Sequence, residues 1–447
     1  MSIEHSLSEV EKQQAEEASP TPVGRVYNPS AAELLSESDR LYGKVSESSD
    51  LSSKIENVTE QLETIQAEVA LEGGLSDYSR SVISKAYKAL VGQDLLGGRL
   101  LALESVDGAD DDFKDGIVEE VQNNTLNDFL VALKRSFYNN WGDTKSWYSK
   151  VTSIRETVLR KNIDCKDRAS KVTGDPKTQE FIFKENLDVD NNGKVSYPEL
   201  SAGLDAMLAF TEKRLTAKVD KEFEDFVVGI QRLVDGYKSK SEVDETELLK
   251  YKNLYTPPPE VTTSPLSDKT VQAKLTDSDT AELIQSKRFP GGTYVVISTP
   301  GNKSGATPYS FIEDTWIKLY TDKEAEEKES VKVRTFYPNQ IVYISDIIAS
   351  LLDSLTYFDK SWERRDRFMT KVFGSLDKTI SVISGKLTDS SLDKKTDAEL
   401  RGLCRIMIRA IQLDNTFNSM LINHVIKITA QTNDLNNACL LQYDGDK

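Results

Sequence analysis

Apolar and aromatic side chains recur three and four residues apart over long stretches of this chain. The clearest sets are Leu126, Phe129, Leu130, Leu133, Phe137 and Trp141, and later Ile344, Ile347, Ile348, Leu351 and Leu355. This spacing places the side chains on one face of a helix, where they can pack against a partner. Because 38% of residues are hydrophobic, a sizeable core can form. We therefore predict a mainly α protein of helical bundle domains, with the aromatic stripe in the core.

A different pattern appears between residues 289 and 337. The runs "GGTYVVIST" (291–299), "TWIKLY" (315–320) and "VKVRTF" (331–336) are short and rich in β-branched and aromatic residues, with turn residues between them. They predict a small antiparallel β section. We divide the chain into an acidic N-terminal segment (1–104), a helical domain (105–255), a linker (256–288), the β section (289–337) and a helical C-terminal domain (338–447).

The N-terminal segment differs in composition from the rest. Residues 1–72 contain 15 acidic and 5 basic residues, a net charge of −10 out of −17 for the whole chain. Residues 1–33 are polar and broken by three prolines, which predicts disorder. A weak heptad follows at Leu51, Ile55, Val58, Leu62, Ile65 and Val69. It indicates an amphipathic helix, either in a short coiled coil or docked on its own body.

Several protein classes are disfavoured by simple counts. No run of eighteen apolar residues occurs, so no membrane span is expected. The start of the chain lacks the basic and apolar regions of a signal peptide. The three cysteines are far apart, which argues against a disulfide framework. The acidic balance disfavours general binding to nucleic acid, because phosphates would be repelled.

One twelve-residue stretch, "DVDNNGKVSYPE" (188–199), has the ligand spacing of an EF-hand calcium loop. Side-chain oxygens at positions 1, 3, 5, 9 and 12 and a carbonyl at position 7 would bind the ion, and glycine at position 6 permits the sharp turn. The side-chain ligands would be Asp188, Asp190, Asn192, Ser196 and Glu199. The carbonyl ligand would come from Lys194, and the glycine at position 6 is Gly193. The sequence therefore predicts a calcium site.

The loop also departs from the EF-hand pattern. Lys184 stands where the incoming helix usually has an aromatic residue, and Phe183 comes one position early. EF-hands usually pair, and no second loop with this spacing occurs in the chain. A lone loop should bind calcium more weakly or use a non-standard partner. We expect a structural staple rather than a sensor, and the alternative is a calcium-shaped turn that binds little.

Residue types that support catalysis are sparse. The chain has two histidines, His5 in the acidic tail and His424 on an apolar helical face, where a core role is expected. No glycine-rich phosphate loop, CxxC pair or HExxH motif occurs. We therefore expect a protein that is not an enzyme.

Short Ala-x-Glu sequences concentrate near the N-terminus. They end at Glu17, Glu33, Glu72, Glu104 and Glu327, and four of these five lie in the first 104 residues. Proteolysis favours segments with few contacts and small residues. The stretches "ALEGGLSDY" and "ALESVDGADDD" fit that requirement, so cuts are predicted between Glu104 and Ser105 and, earlier, between Glu72 and Gly73. The alternative is that both are uncut helix ends.

Together these features resemble the internal head proteins of large contractile-tailed bacteriophages. The resemblance rests on the acidic tail with Ala-x-Glu sites, on "LNDFLVALKRSFYNNWGDTKSWYSKV" (126–151), and on the β runs followed by "QIVYISDIIASLLDSLTYFDKSWERRDR" (340–367). It implies a virion protein that is packed with the prohead core inside the capsid and trimmed by the prohead protease. Implied partners are capsid or core proteins, that protease and, by proximity, the packaged DNA. The calcium loop is not a feature of this resemblance.

A second class of function stays open. The chain could be a cytoplasmic, calcium-binding helical interaction protein with a single EF-hand and no viral connection. Only the calcium loop supports that alternative, whereas the acidic tail and the Ala-x-Glu sites favour the phage protein.

Overall fold

We describe the protein from a computed structural model. The structure describes residues 35–49, 51, 54–55, 111–239, 244–257, 259–263, 281–300, 310–313, 315–321, 330–383 and 394–443. The predictions of disorder in residues 1–33 and of cleavage beside Glu72, Gly73, Glu104 and Ser105 lie outside these residues.

Helices dominate the described part of the chain, as predicted. They are α1 (35–49), α2 (Asp111–Ala169), α3 (Tyr197–Arg214), α4 (Ala217–Ser239), α5 (Ser310–Glu313), α6 (Pro338–Ser354), α7 (Thr356–Ile383) and α8 (Lys394–Leu441). Short 3-10 helices cover Glu245–Tyr251 and Pro259–Val261. The long helix α2 passes through Gly142 without a break, because a single glycine only weakens a helix that is packed on its neighbours.

Helix α8 lies at the centre of the helical body. It packs against α2, α4, α6 and α7, and most of its residues are buried on every side. Buried apolar residues from Leu41 to Leu440 form one contiguous cluster around it. Four residues of the predicted stripe on α2, Leu130, Leu133, Phe137 and Trp141, belong to this cluster, whereas the side chains of Leu126 and Phe129 lie outside the described ones. The core assignment is therefore confirmed for these four residues.

The β structure forms two sheets. One is antiparallel with strand order β3-β4-β5-β6, made of Thr262–Thr263, Ala281–Ser286, Thr293–Pro300 and Trp316–Thr321. The other has the order β1-β7-β2, made of Glu180–Phe183, Val331–Arg334 and Lys194–Val195. Strand β7 pairs antiparallel with β1 and parallel with β2.

This arrangement corrects three local expectations. Residues 180–183 form a strand, although they lie within the predicted helical domain (105–255). Strands β3 and β4 lie in the stretch that was read as a linker, because β4 pairs with the predicted strand β5 and β3 pairs with β4. The predicted strand β7 joins the other sheet, since its partners are more than 130 residues away and leave no local signal. The division of the chain into domains stays a prediction.

The two faces of the four-stranded sheet have different partners. Val295, Ile297 and Ile317 belong to the main core. Leu283, Tyr294 and Val296 form a small second cluster with Trp316 and Tyr320. This sheet is therefore attached to the helical body through one face.

One helical stretch within the described residues, Pro338–Ile383, contains an 18-residue window of mean hydropathy 1.4, which would suit a membrane span. Half of that window is buried in the protein, and the core helix of a soluble protein meets the same criterion. The three cysteines, Cys165, Cys404 and Cys439, are free and buried.

Candidate functional site

The predicted calcium loop connects strand β1 to helix α3. The Asp188 carboxylate is fully buried and accepts hydrogen bonds from the backbone N–H groups of Asp190 (3.1 Å) and Gly193 (2.5 Å). Gly193 has φ of +81° and Asn191 of +60°, so two left-handed residues make the turn. The first predicted ligand therefore organises the backbone of the loop.

The later predicted ligands converge on Glu199. Its Oε1 accepts from Asn192 Nδ2 (3.4 Å) and its Oε2 accepts from the Ser196 hydroxyl (2.8 Å). The Asn192 amide oxygen also accepts from the backbone N–H of Lys194 (2.8 Å). Positions 5, 9 and 12 of the loop are thus brought together, while the side chain of Asp190 at position 3 is exposed.

The chemistry of this donor set suits a hard cation. All the predicted donors are oxygens: three carboxylates, one amide, one hydroxyl and one carbonyl, which is the ligand type that calcium prefers. Within the described ranges, however, no group of three or more His, Cys, Asp or Glu side chains is positioned to hold a metal ion. The residues fit the ion in kind, and binding would require the carboxylates to close around it.

Strand β7 takes the place that a second loop has in paired EF-hands. Val195, at the apolar eighth position of the loop, lies in β2 opposite Val333, and both are buried. The backbone N–H of Lys332 donates to the carbonyl of Gly193 (3.0 Å). A non-standard partner was one of the two outcomes expected for a lone loop. The element that enters the loop is strand β1, which explains why Lys184 need not be aromatic.

Two glycines allow close packing around the loop. A Cβ atom on Gly203 of α3 would lie 2.8 Å from Val189 Cγ2 and 3.3 Å from Pro290 Cδ. A Cβ on Gly291, whose φ is +81°, would lie 3.1 Å from the Asn186 carbonyl oxygen. The loop is therefore held between α3, the three-stranded sheet and the turn before β5.

A second polar cluster lies inside the helical body and was missed by sequence reasoning. Arg214 of α3 pairs with Asp414 of α8, and Arg365 of α7 bridges Asp414 (2.9 Å) and Asp220 of α4 (2.6 Å). All four side chains are buried. Asp414 also accepts from Asn418 Nδ2 (3.0 Å). We call these four charged residues the buried charge network. Charged residues on amphipathic helices gave no signal that they would meet.

Asp220 and Arg365 of the buried charge network favour their ionised forms. Burial raises the pKa of Asp220, but the attraction and hydrogen bond of Arg365 outweigh this effect, so the carboxyl pKa lies below its ordinary value. Burial lowers the pKa of Arg365, and the two aspartates more than compensate. The hydroxyl of Tyr357 also donates to Asp220 (2.9 Å). The cluster therefore joins four helices through charged hydrogen bonds.

His424 is the one described histidine, and it is a core residue as predicted. Its Nε2 lies 2.9 Å from the Thr293 hydroxyl, and its ring lies beside Phe289. Burial, with a further contribution from Lys427, lowers the histidine pKa to about 3. The imidazole is therefore neutral at physiological pH.

With the fold and these sites described, the chain can be compared with known proteins. It matches the family model of the phiKZ-like phage internal head proteins over residues 33–436. The chain belongs to this family. The resemblance drawn from the sequence is thereby confirmed. No curated protein and no solved structure gives a significant match.

Membership in the family of phage internal head proteins gives the protein its location and general role. It lies inside the phage capsid and associates with capsid or head components as a structural protein. The match spans the helices, both sheets and the calcium loop. It does not address the resemblance of that loop to an EF-hand.

Proposed function

We propose that this internal head protein is a non-enzymatic structural component, packed with the prohead core and trimmed by the prohead protease. The family match over residues 33–436 carries the proposal. The cuts would follow Glu104 and, earlier, Glu72, within the acidic N-terminal segment. Core or shell proteins would be its partners, and packaged DNA would be a neighbour by proximity.

The charge distribution supports trimming. Residues 1–104 contain 18 acidic and 9 basic residues, a net charge of −9. A body without them would have a net charge of −8, because the whole chain has −17. Repulsion between like charges weakens as net charge falls, so release of all or part of these residues would make the protein more compatible with dense DNA.

Mass spectrometry of the protein from purified mature heads tests this proposal. We expect a body chain that begins at Gly73 or Ser105, and the full-length chain in proheads that lack active protease. A full-length chain in mature heads would refute trimming. A body chain that begins at another residue would support trimming but refute cleavage at these two sites.

We further propose that calcium binds the 188–199 loop as a structural staple. The observation that favours it is the convergence of Asn192 and Ser196 on Glu199, in a loop whose strand pairs with β7. The ion would be held by Asp188, Asp190, Asn192, Ser196, Glu199 and the Lys194 carbonyl. It would neutralise the carboxylates and fix the loop between α3 and the three-stranded sheet.

Thermal unfolding with and without calcium tests the staple. Calcium at about 100 times its Kd would stabilise the folded protein by about 2.7 kcal/mol. Glu199→Gln should remove most of this gain, because it removes the bidentate ligand. Glu212→Gln, an exposed position further along the same helix, is the matched control and should keep the gain. An unchanged melting temperature of the wild-type protein in calcium would show that the loop is only a turn.

A further inference from the structure

The segment before the proposed cuts contains a helix that is built into the body. Helix α1 packs on α2 and α8, and beyond it Ile55 lies in the same core with Leu51 packed against it. We propose that residues 35–55 remain bound to the body when the chain is cut after Glu72 or Glu104, so that the mature head contains this segment as a separate short chain. The part that concerns the phage rests on the proposed trimming.

The apolar face of the segment is buried in the main core. Leu41, Val45 and Ile55 belong to the same contiguous cluster as α2 and α8, and Val45 and Ile55 are each only 1% exposed. The rings of Tyr42 and Trp147 lie 6.1 Å apart between centroids. Burial of side chains of this size is the main favourable term in association, so the face can hold a separate chain.

Polar contacts fix the segment on α8. The buried Ser38 hydroxyl donates to Asn423 Oδ1 (3.0 Å), and Asn423 Nδ2 donates to Asp39 (3.2 Å). Near the other end of α1, the hydroxyls of Ser49 and Thr416 lie 2.8 Å apart. Asn423 and Thr416 are two turns apart on α8, so the contacts set both the position and the direction of the segment.

A further contact fixes the segment on α2. The buried Asn140 side chain donates to the carbonyl of Val45 (3.1 Å) and to the Ser48 hydroxyl (3.2 Å). Loss of the segment would expose Trp147 and leave Asn140 and Asn423 without these partners. Removing one side of a buried hydrogen bond is costly, and this cost opposes dissociation.

The extent of the family match agrees with this inference. The match begins at residue 33, just before α1, and leaves out the acidic residues before it. An Ala-x-Glu sequence, Ala31-Ala32-Glu33, ends at the same point. A cut there would release only residues 1–33 and leave α1 in place. The segment thus shares the family pattern with the body, although it lies before the predicted cuts.

An engineered cut tests retention without the phage protease. The stretch "LEGGLSD" (71–77) of the full-length protein is replaced by the recognition sequence of a site-specific protease. After cleavage, the protein is run on a gel-filtration column under native conditions. We expect the N-terminal fragment to elute with the body in equal molar amounts. Elution of the wild-type fragment apart from the body would overturn the proposal.

Two substitutions in the same helix check that α1 is the cause. Val45→Asp places a charge at a buried position and should release the fragment after the cut. Ser36→Asp introduces the same residue at an exposed position and should not. If uncut Val45→Asp fails to fold by circular dichroism, Val45→Ala replaces it, with partial release expected. Equal retention of the wild-type and Val45-variant fragments would show that residues outside α1 hold the fragment, against the proposal.

Peptide quantification in mature heads tests the proposal in the particle. Peptides from residues 35–55 should be as abundant as peptides from α8, and their complete absence beside a cut body chain would overturn it. A full-length chain in the heads would refute the proposed trimming but not the retention of the segment. The gel-filtration result would then decide whether the segment stays bound after a cut.

Discussion

Replacement of Asp414 by asparagine gives a sharp test of the buried charge network. Asp414 is 1% exposed and accepts hydrogen bonds from Arg214 and Arg365. Asparagine keeps the shape but cannot neutralise two buried guanidinium groups. Breaking a buried ion pair by removing one partner costs about 3–5 kcal/mol. Because Arg365 keeps its contact with Asp220, we expect the lower end of this range.

Thermal unfolding measures the effect. A destabilisation of 1 kcal/mol lowers the melting temperature by about 2–4 °C in domains of 150–250 residues and by less in larger ones. For Asp414→Asn in this 447-residue chain we therefore expect a fall of roughly 3 °C, taking about 1 °C per kcal/mol. Asp353→Asn is the control, because Asp353 is an exposed helical aspartate. It should shift the melting temperature by less than about 1 °C, since surface substitutions change little.

A double variant shows whether Asp414→Asn destabilises the protein because an ion pair is lost or because a guanidinium group is left buried without a counter-charge. If the stranded guanidinium of Arg214 causes the loss, Arg214→Met with Asp414→Asn should be more stable than Asp414→Asn alone. Buried ion pairs are often replaced by apolar residues at little cost. An Asp414→Asn protein that melts at or above the wild-type temperature would refute the reasoning, and so would a double variant that is less stable than the single one.

Three further predictions follow from the loop and the network. Gly203→Ala should destabilise the protein by about 1–3 kcal/mol through overpacking on Val189, whereas Gly402→Ala, with open space in α8, should stabilise it by about 0.5–1 kcal/mol; thermal unfolding gives both signs. The lowered pKa of Asp220 stabilises the folded protein fully above the ordinary aspartate pKa of about 3.9, and this stabilisation is lost as the pH falls through the pKa of Asp220 in the folded protein. Acid should therefore lower the urea midpoint of unfolding less in Asp220→Asn than in the wild type. Val333 is not a predicted ligand but pairs with Val195 of the loop, so Val333→Asp should weaken calcium binding at least about tenfold, a loss of 1.4 kcal/mol, when measured by calorimetry. Equal affinity of the variant and the wild type would show that β7 does not support the loop.

The helices and the core were predictable because their signal is local. Three- and four-residue spacing identifies the buried face of a helix from its own sequence. The described side chains of the stripe on α2 and the face of α6 lie in the core as predicted. Strands β5 and β6 were predictable for a similar reason, since their runs are short and β-branched. The heptad is described only at Leu51 and Ile55, where the segment is docked on its own body.

The rest of the fold depended on partners far away in the chain. Strand β1 pairs with β7 about 150 residues later, and two separate edges of β7 accept β1 and β2. The buried charge network joins residues from four helices, and each charge alone is typical of a solvent-exposed position. A single sequence does not indicate such pairings locally. The residues around a buried, paired charge do not differ in kind from those around an exposed charge, and most charged residues are exposed.

If the predicted calcium loop binds the ion as proposed, its position explains why one such loop suffices in a long chain. In paired EF-hands, each loop supplies the short strand that its neighbour needs. Here β7 supplies that strand, and the same strand also holds β1, which enters the loop. A bound ion at Glu199 would therefore fix the start of α3 and, through Val195 and Val333, the three-stranded sheet. A second loop would bind another ion without connecting further elements of the fold. A single loop is therefore sufficient for a structural calcium site.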